Sequence, residues 1–137
     1  MASKSKVVFL NREAILAAED LPRELVEVPE WGGAVYVRAL TGAERDQFEA
    51  SIVEQRGRDV RMNMRNIRAK LVALTVVDED GQRIFTDDDV AALGGKSAAA
   101  LDRLFAVAQR LSGLSKEDVE ELAKNSESGQ SADSISG

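Results

Sequence analysis

The segment at residues 64–85 constrains the fold most, because it carries a long apolar stretch that must be buried. Its first apolar residues recur every three or four positions: Met64, Ile67, Leu71 and Leu74. This spacing predicts one face of a helix, and the apolar residues at 71–77 predict that most sides of it are covered. An alternative stays open, in which residues 71–77 form a strand that turns at Gly81 onto residues 83–86. The helix is preferred because polar and apolar residues do not alternate there.

An acidic run at residues 78–80 leads into Gly81 and predicts a turn. Thr86 then begins another helix, because Asp89 three residues later completes a capping box. Phe85 and Val90 occupy the two hydrophobic staple positions around this cap. The paired glycines at 94 and 95 end the helix.

The clearest β signal lies at residues 25–40, where polar and apolar residues alternate along two arms. Gly32 and Gly33 stand between the arms and permit the positive φ that a tight connection needs. The pattern predicts a β-hairpin with Trp31, the only tryptophan, at its tip.

Two helices flank this hairpin in the sequence. Asn11 is a candidate N-cap for a short helix that runs to about Glu19. Residues 7–10 before it form either a short strand or an apolar lead-in. After the hairpin, Thr41 and Glu44 make a second capping box, and their helix fades near Gly57. Residues 56–63 are polar and form either a loop or a continuation of a helix.

The most regular amphipathic pattern follows Ser97, which caps a helix that Gly113 ends. Ser115 begins a final acidic helix, and from residue 125 onward small polar residues dominate. The sequence therefore predicts an α+β fold, with a small β-hairpin at about 25–40 followed by a mainly helical bundle of four to five helices. Residues 1–124 form one domain, and residues 125–137 form a disordered Ser/Gly-rich tail.

The chain has no cysteine and no histidine. This composition excludes disulfides and thiolate sites, and it removes the commonest general base and the commonest metal ligand. The acidic run fails as a calcium loop, because Val76 would stand at the first ligand position and Asp87 at the last. No enzyme or nucleotide motif occurs, so we expect a protein without catalytic activity, metal or cofactor.

The formal net charge of −6 disfavours binding to nucleic acid or to an anionic membrane. Six cations nevertheless cluster in one segment: Arg56, Arg58, Arg61, Arg65, Arg68 and Lys70. They lack interleaved aromatic residues and precede an acidic stretch, which favours contacts within the domain or between subunits. No apolar run approaches the roughly 18 residues of a membrane span, and residues 7–10 are too few for a signal peptide core. We therefore expect the protein in the cytosol of the cell that makes it.

Candidate partner-binding residues are large apolar side chains on three elements: Trp31 at the hairpin tip, Leu101, Leu104 and Phe105 on the helix after Ser97, and Val119 and Leu122 on the acidic helix. Two interpretations of Trp31 stay open, since it either packs over the core of its own domain or anchors a partner. The acidic helix either solubilises the chain or lies in a groove of a partner.

Four stretches carry a further signal: residues 11–15 (NREAI), 28–46 (VPEWGGAVYVRALTGAERD), 78–93 (DEDGQRIFTDDDVAAL) and 101–126 (LDRLFAVAQRLSGLSKEDVEELAKNS). In this order they resemble the tail assembly chaperones of long-tailed phages. The resemblance covers nearly the whole chain except residues 55–65, and it brings no catalytic motif with it.

The resemblance implies a non-enzymatic assembly factor that binds the tape measure protein and keeps it soluble. It also implies that the factor recruits the major tail protein, whose subunits form the tail tube. It further implies action in the host cell cytoplasm, absence from the mature virion, and a longer form of the same protein made by a programmed frameshift. Homo-oligomers are a further expectation. Two alternatives remain: a structural adaptor retained in the particle, and a nucleic-acid-binding regulator that uses the cationic segment.

Overall fold

The secondary structure of the chain follows the caps and turns of its sequence. A computed structural model describes residues 7–56, 59–62 and 66–114. Its elements are, in order, α1 (Arg12–Ala17), β1 (Arg23–Val28), β2 (Gly33–Arg38), α2 (Gly42–Ser51), β3 (Val53–Arg56), β4 (Asp59–Met62), α3 (Ile67–Thr75), β5 (Val76–Val77), α4 (Val90–Gly94) and α5 (Ala98–Leu111). Short 3₁₀ turns at Pro29–Trp31 and Asp87–Asp89 precede β2 and α4. The predicted α+β class is confirmed.

The predicted hairpin supplies β1 and β2 of a three-stranded antiparallel sheet with the order β1-β2-β5, in which β2 is the central strand. Val26, Val28 and Val37 point to one face of this sheet and are buried against α3 and α5. Leu25 and Tyr36 pair on the other face, where Leu25 is 57% exposed. The sheet therefore has one face in the core, whereas its other face is exposed at Leu25 and covered at β5, where Val77 is 1% exposed.

Helix α3 and strand β5 divide the apolar segment between them. The helix prediction is confirmed over Ile67–Thr75, where the Thr75 hydroxyl donates a hydrogen bond to the Leu71 carbonyl at 2.8 Å. Met64, at which the predicted helix begins, lies outside the described residues. The helix prediction is wrong for Val76 and Val77, which are extended and pair with β2. Val77 also bridges to Arg83, so the turn through Gly81 that belonged to the strand alternative is present as well.

The segment after α2 corrects the sequence prediction. We expected a helix fading near Gly57 and a loop or helix at residues 56–63, but α2 ends at Ser51 and β3 pairs antiparallel with β4. The register places Glu54 opposite Arg61 and Arg56 opposite Asp59. Few apolar residues follow α2 at helical spacing, so a longer helix would have no face to bury, whereas opposite charges at paired positions suit a ribbon of two strands.

Most predicted caps are present. The Asn11 side chain accepts a hydrogen bond from the Ala14 N–H at 2.8 Å, and α1 ends two residues earlier than expected. Residues 7–10 form no strand but an exposed lead-in to α1. The Thr86 capping box opens the 3₁₀ turn before α4, and Ser97 caps α5 through the Ala100 N–H at 3.2 Å.

Gly113 ends α5 with a φ of 70°. Its N–H donates to the Arg110 carbonyl, and the N–H of Leu114 donates to the Gln109 carbonyl, at 3.3 and 2.9 Å. These two bonds form a Schellman motif, and they bring Leu114 into the core, where it is 1% exposed. The predicted acidic helix and the tail at 125–137 lie outside the described residues, as does the end of the predicted domain, so these remain predictions.

Candidate partner-binding groove

A groove of about 630 Å³ opens beside the tip of the hairpin. Its walls combine the hairpin tip, the segment before α4, and α4 itself with the turn that follows. Eight residues line it: Glu30, Trp31, Ile84, Phe85, Asp89, Ala92, Leu93 and Lys96. We call this site the Trp31 groove. A second groove, of about 690 Å³, lies at the other end of the hairpin, but its lining includes five charged residues and no aromatic one.

Local structure fixes Trp31 on the groove wall. The 3₁₀ turn Pro29–Trp31 closes with a hydrogen bond of 3.0 Å from the Gly32 N–H to the Pro29 carbonyl. Gly32 has a φ of 75°, a conformation that glycine adopts at little cost. Trp31 is half-buried and packs against the core, as the first interpretation of this residue expects, and it also lines the groove. Its role as an anchor for a partner stays a prediction.

The far wall is apolar as well. Ile84 is 48% exposed, Phe85 is half-buried and packs against the core, and Leu93 of α4 closes the floor. Large apolar side chains beside open space can take up apolar side chains of a partner. The groove is therefore a candidate binding surface, and its lining contains no nucleophile paired with a base.

Charged residues stand on the rim. The Glu30 carboxylate accepts two hydrogen bonds from the Arg103 guanidinium, at 2.8 and 3.0 Å, which ties the hairpin tip to α5. These bonds lower the pKa of Glu30 to about 2, so it stays ionised through the physiological range. Asp89 accepts from the Thr86 N–H at 2.8 Å and also lines the groove, opposite the single cation Lys96.

The structure separates the predicted partner-binding residues. Leu101 and Leu104 lie in the core, and Leu104 is fully buried. Phe105 is half-buried against the core on α5, and it does not line the Trp31 groove. Val119 and Leu122 lie outside the described residues. Partner binding by these five side chains remains a prediction.

Sequence reasoning missed the far wall of the groove. The sequence patterns mark Ile84 only as part of a short extended piece and Phe85 only as a staple residue. No local pattern shows that this segment faces the hairpin tip, because the two are brought together by tertiary packing, in which α4 and α5 both contact α3. The sequence signal that could have pointed there is a pair of large apolar residues, Ile84 and Phe85, close after an acidic turn.

The acidic run has partners within the domain, and so do Arg68 and Lys70, the two cations of the cationic segment whose side chains the structure describes. The Asp78 carboxylate accepts hydrogen bonds from the N–H groups of Asp80 and Gln82, at 2.9 and 3.0 Å, which stabilises the turn. Arg68 forms an ion pair with Asp102 of α5, and the Lys70 ammonium donates to the Ser51 carbonyl at 2.9 Å.

Within residues 7–56, 59–62 and 66–114 no acidic cluster suits a metal ion. The helices of that same part of the chain are also too short or too polar to cross a membrane.

Comparison with known proteins agrees with this architecture. The chain matches a solved structure of the bacteriophage HK97 tail assembly chaperone with a TM-score of 0.53 and 20% sequence identity, over 72% of this chain and 94% of that one. At this identity the match shows a shared fold. No curated protein matches the chain. The profile of the phage tail assembly chaperones matches residues 11–125, which is most of the sequence. The chain therefore belongs to the phage tail assembly chaperone family.

Proposed function

We propose that the protein is a non-enzymatic chaperone that binds the tape measure protein through the Trp31 groove, keeps it soluble and helps to recruit tail tube subunits. Family membership supports a role in tail assembly. The observation that carries the binding mode is the open wall of Trp31, Ile84 and Phe85, which leaves apolar surface uncovered in the described chain. A long helical client needs such surfaces, because its own apolar residues would otherwise aggregate.

Release also belongs to this function. The chaperone acts in the host cytoplasm and leaves before the virion is complete, so each copy binds weakly and many copies bind one client. A single groove lined by eight residues suits weak binding, since a standard stable interface takes roughly 20–30 residues on each side. A longer frameshifted form of the protein, carrying the same groove, would bring the tube protein to the client.

The test is co-expression of the chain with the tape measure protein, followed by light scattering of the soluble fraction. We expect soluble complexes with several chaperone copies per client. Ile84→Ser should reduce the amount of soluble client several-fold, because it places a hydroxyl in the apolar wall. Leu25→Ser is the matched control, because Leu25 is similarly exposed but lies on the sheet instead of the groove wall.

Two results would contradict the proposal. If Ile84→Ser and Leu25→Ser solubilise the client equally well, the groove is not the binding surface. If mass spectrometry finds the chain as an abundant component of purified virions, the protein is a structural adaptor that stays in the particle. Trp31→Ala adds a further check. The amount of soluble client should fall markedly, whereas the melting temperature of the chaperone should fall only slightly.

A further inference from the structure

The N-terminal arm, residues 7–17, is the most exposed apolar part of the described chain. Six large apolar side chains lie on it, each more than half exposed: Val7, Val8, Phe9, Leu10, Ile15 and Leu16. Phe9 is 91% exposed. Scattered apolar residues on a surface need no explanation. Six within ten positions, in two runs at 7–10 and 15–16, are dense enough to indicate an interaction site.

The arm contains a helix although none of its residues is buried in the described structure. The Asn11 cap forms α1, yet α1 has no buried residue and ends after six residues. Helices this short are marginal in water unless one face is covered. The arm therefore presents a preformed turn of helix with Phe9 and Leu10 before it, and its apolar side chains lack a covering surface in residues 7–56, 59–62 and 66–114.

The Trp31 groove is the apolar surface in the described structure that matches this arm. Its lining includes Asp89 and one cation, Lys96, together with Glu30, which is already paired with Arg103. Asp88 stands next to Asp89 in the sequence and adds a further negative charge. Lys4 and Lys6 precede the arm in the sequence. An apolar segment led by cations thus complements an apolar groove with an acidic rim.

The position of the groove favours a second copy over the same chain. The arm joins the domain at Pro22, whose carbonyl accepts a hydrogen bond from the Ala39 N–H at 3.0 Å. The groove lies beyond the opposite end of β1, which at six residues is about 20 Å long. In the described structure residues 7–17 are exposed, and none of them lines the groove.

We propose that the N-terminal arm of one copy docks in the Trp31 groove of a second copy, with Phe9 as the anchor. Reciprocal docking gives a closed dimer, whereas one-way docking links copies in a row. The arm then covers the apolar wall until a client takes its place. This consequence rests on the proposed function, but the docking itself is tested without any client.

The test uses Trp31 as its own reporter, because it is the only tryptophan in the chain. Sedimentation velocity and tryptophan emission are measured from low to high micromolar concentration. We expect association with increasing concentration and, in parallel, a shift of the emission to shorter wavelength as the indole leaves water. Phe9→Ser should weaken association at least about tenfold, the ratio expected when one large apolar side chain is no longer buried.

A peptide of residues 1–17 separates the arm from other contacts. Titrated into the Phe9→Ser protein, the wild-type peptide should shift the Trp31 emission with saturation, and a peptide that itself carries Phe9→Ser should not. Ile84→Ser in the protein should abolish the response, since it alters the groove and leaves the arm intact. Leu25→Ser is again the control and should respond like the parent protein.

Three outcomes would overturn the inference. Association that Phe9→Ser does not weaken uses another surface. A monomer at every concentration, with a Trp31 emission that changes on Phe9→Ser, places the arm in the groove of its own chain. A peptide that gives no emission shift shows that the groove does not take the arm. None of these results concerns client binding, so the proposed function would stand or fall separately.

Discussion

Replacement of Glu44 by glutamine tests how far the ion pair at the end of β2 stabilises the domain. The Glu44 carboxylate accepts two hydrogen bonds from Arg38, at 2.7 and 2.9 Å, and one from the Thr41 N–H at 3.0 Å. Only 14% of the Arg38 side chain and 16% of the Glu44 side chain are exposed. Glu44→Gln keeps the shape of the side chain and leaves the guanidinium without its counterion.

The expected loss lies between two known limits. Exposed ion pairs contribute roughly 0–1 kcal/mol, and removal of one partner from a fully buried pair costs about 3–5 kcal/mol. The pair is mostly buried, and the carbonyl oxygen of the new amide can still accept a hydrogen bond from Thr41 or Arg38. We therefore expect the free energy of unfolding to fall by about 2 kcal/mol. For a domain of this size Tm should fall by roughly 6–10 °C.

The loss should also depend on pH. Burial raises the pKa of Glu44, but the hydrogen bonds from Arg38 and the Thr41 backbone outweigh it, so the pKa lies below its ordinary value of 4.5. A carboxyl with a lower pKa in the folded chain stabilises the fold above its unfolded pKa, and this stability is lost as pH falls through the folded pKa. The two proteins should therefore differ fully near neutral pH and converge as the pH falls below 4.5.

Urea denaturation followed by far-UV circular dichroism, repeated from neutral pH into the acid range, measures both effects. Glu30→Gln is the matched control: its bonds to Arg103 have similar lengths, but the two side chains are 29% and 38% exposed, so we expect a smaller loss. An equal loss for Glu44→Gln at all pH values, or no loss, would refute the reasoning.

Three further substitutions test the core and the caps. Leu104→Ala should lower the free energy of unfolding by about 3 kcal/mol in urea denaturation, because the side chain is fully buried; an effect below about 1 kcal/mol would contradict its place in the core. Gly113→Ala should cost about 1 kcal/mol in the same assay, since its φ is 70° but no atom lies near the new methyl group, whereas Gly33→Ala, without positive φ, should be close to neutral. Asn11→Ala should speed hydrogen exchange at the Ala14 amide and leave the urea midpoint unchanged, since α1 contributes no buried residue; a shifted midpoint would mean that α1 packs on the domain.

The features predicted best from the sequence are those set by neighbours along the chain. Thr41 with Glu44, Ser97 and Gly113 depend on residues three or four positions away, and each behaves as expected. The hairpin was predicted from the alternation of polar and apolar residues, because a sheet that buries one face needs apolar side chains at every second position. Rules of this range operate before tertiary packing, so a single sequence contains them.

The strands β3 and β4 were missed because their residues are mostly polar, and apolar spacing carries no signal there. One local cue was present: Gly57 and one further residue stand between two short runs, the pattern of a two-residue hairpin loop. The Trp31 groove could not be predicted, because Ile84 and Trp31 are 53 positions apart and meet only through packing.

Helix α3 passes into β5 without an intervening loop, since Thr75 ends the helix and Val76 begins the strand. Both elements are buried, and β5 pairs with β2 in the sheet. A slip of α3 along its axis would move β5 out of register, so the helices and the sheet cannot loosen one at a time. We expect their amides to exchange together, as a single cooperative unit. The interior of such a domain opens as a whole, so a local change at its surface need not loosen the core.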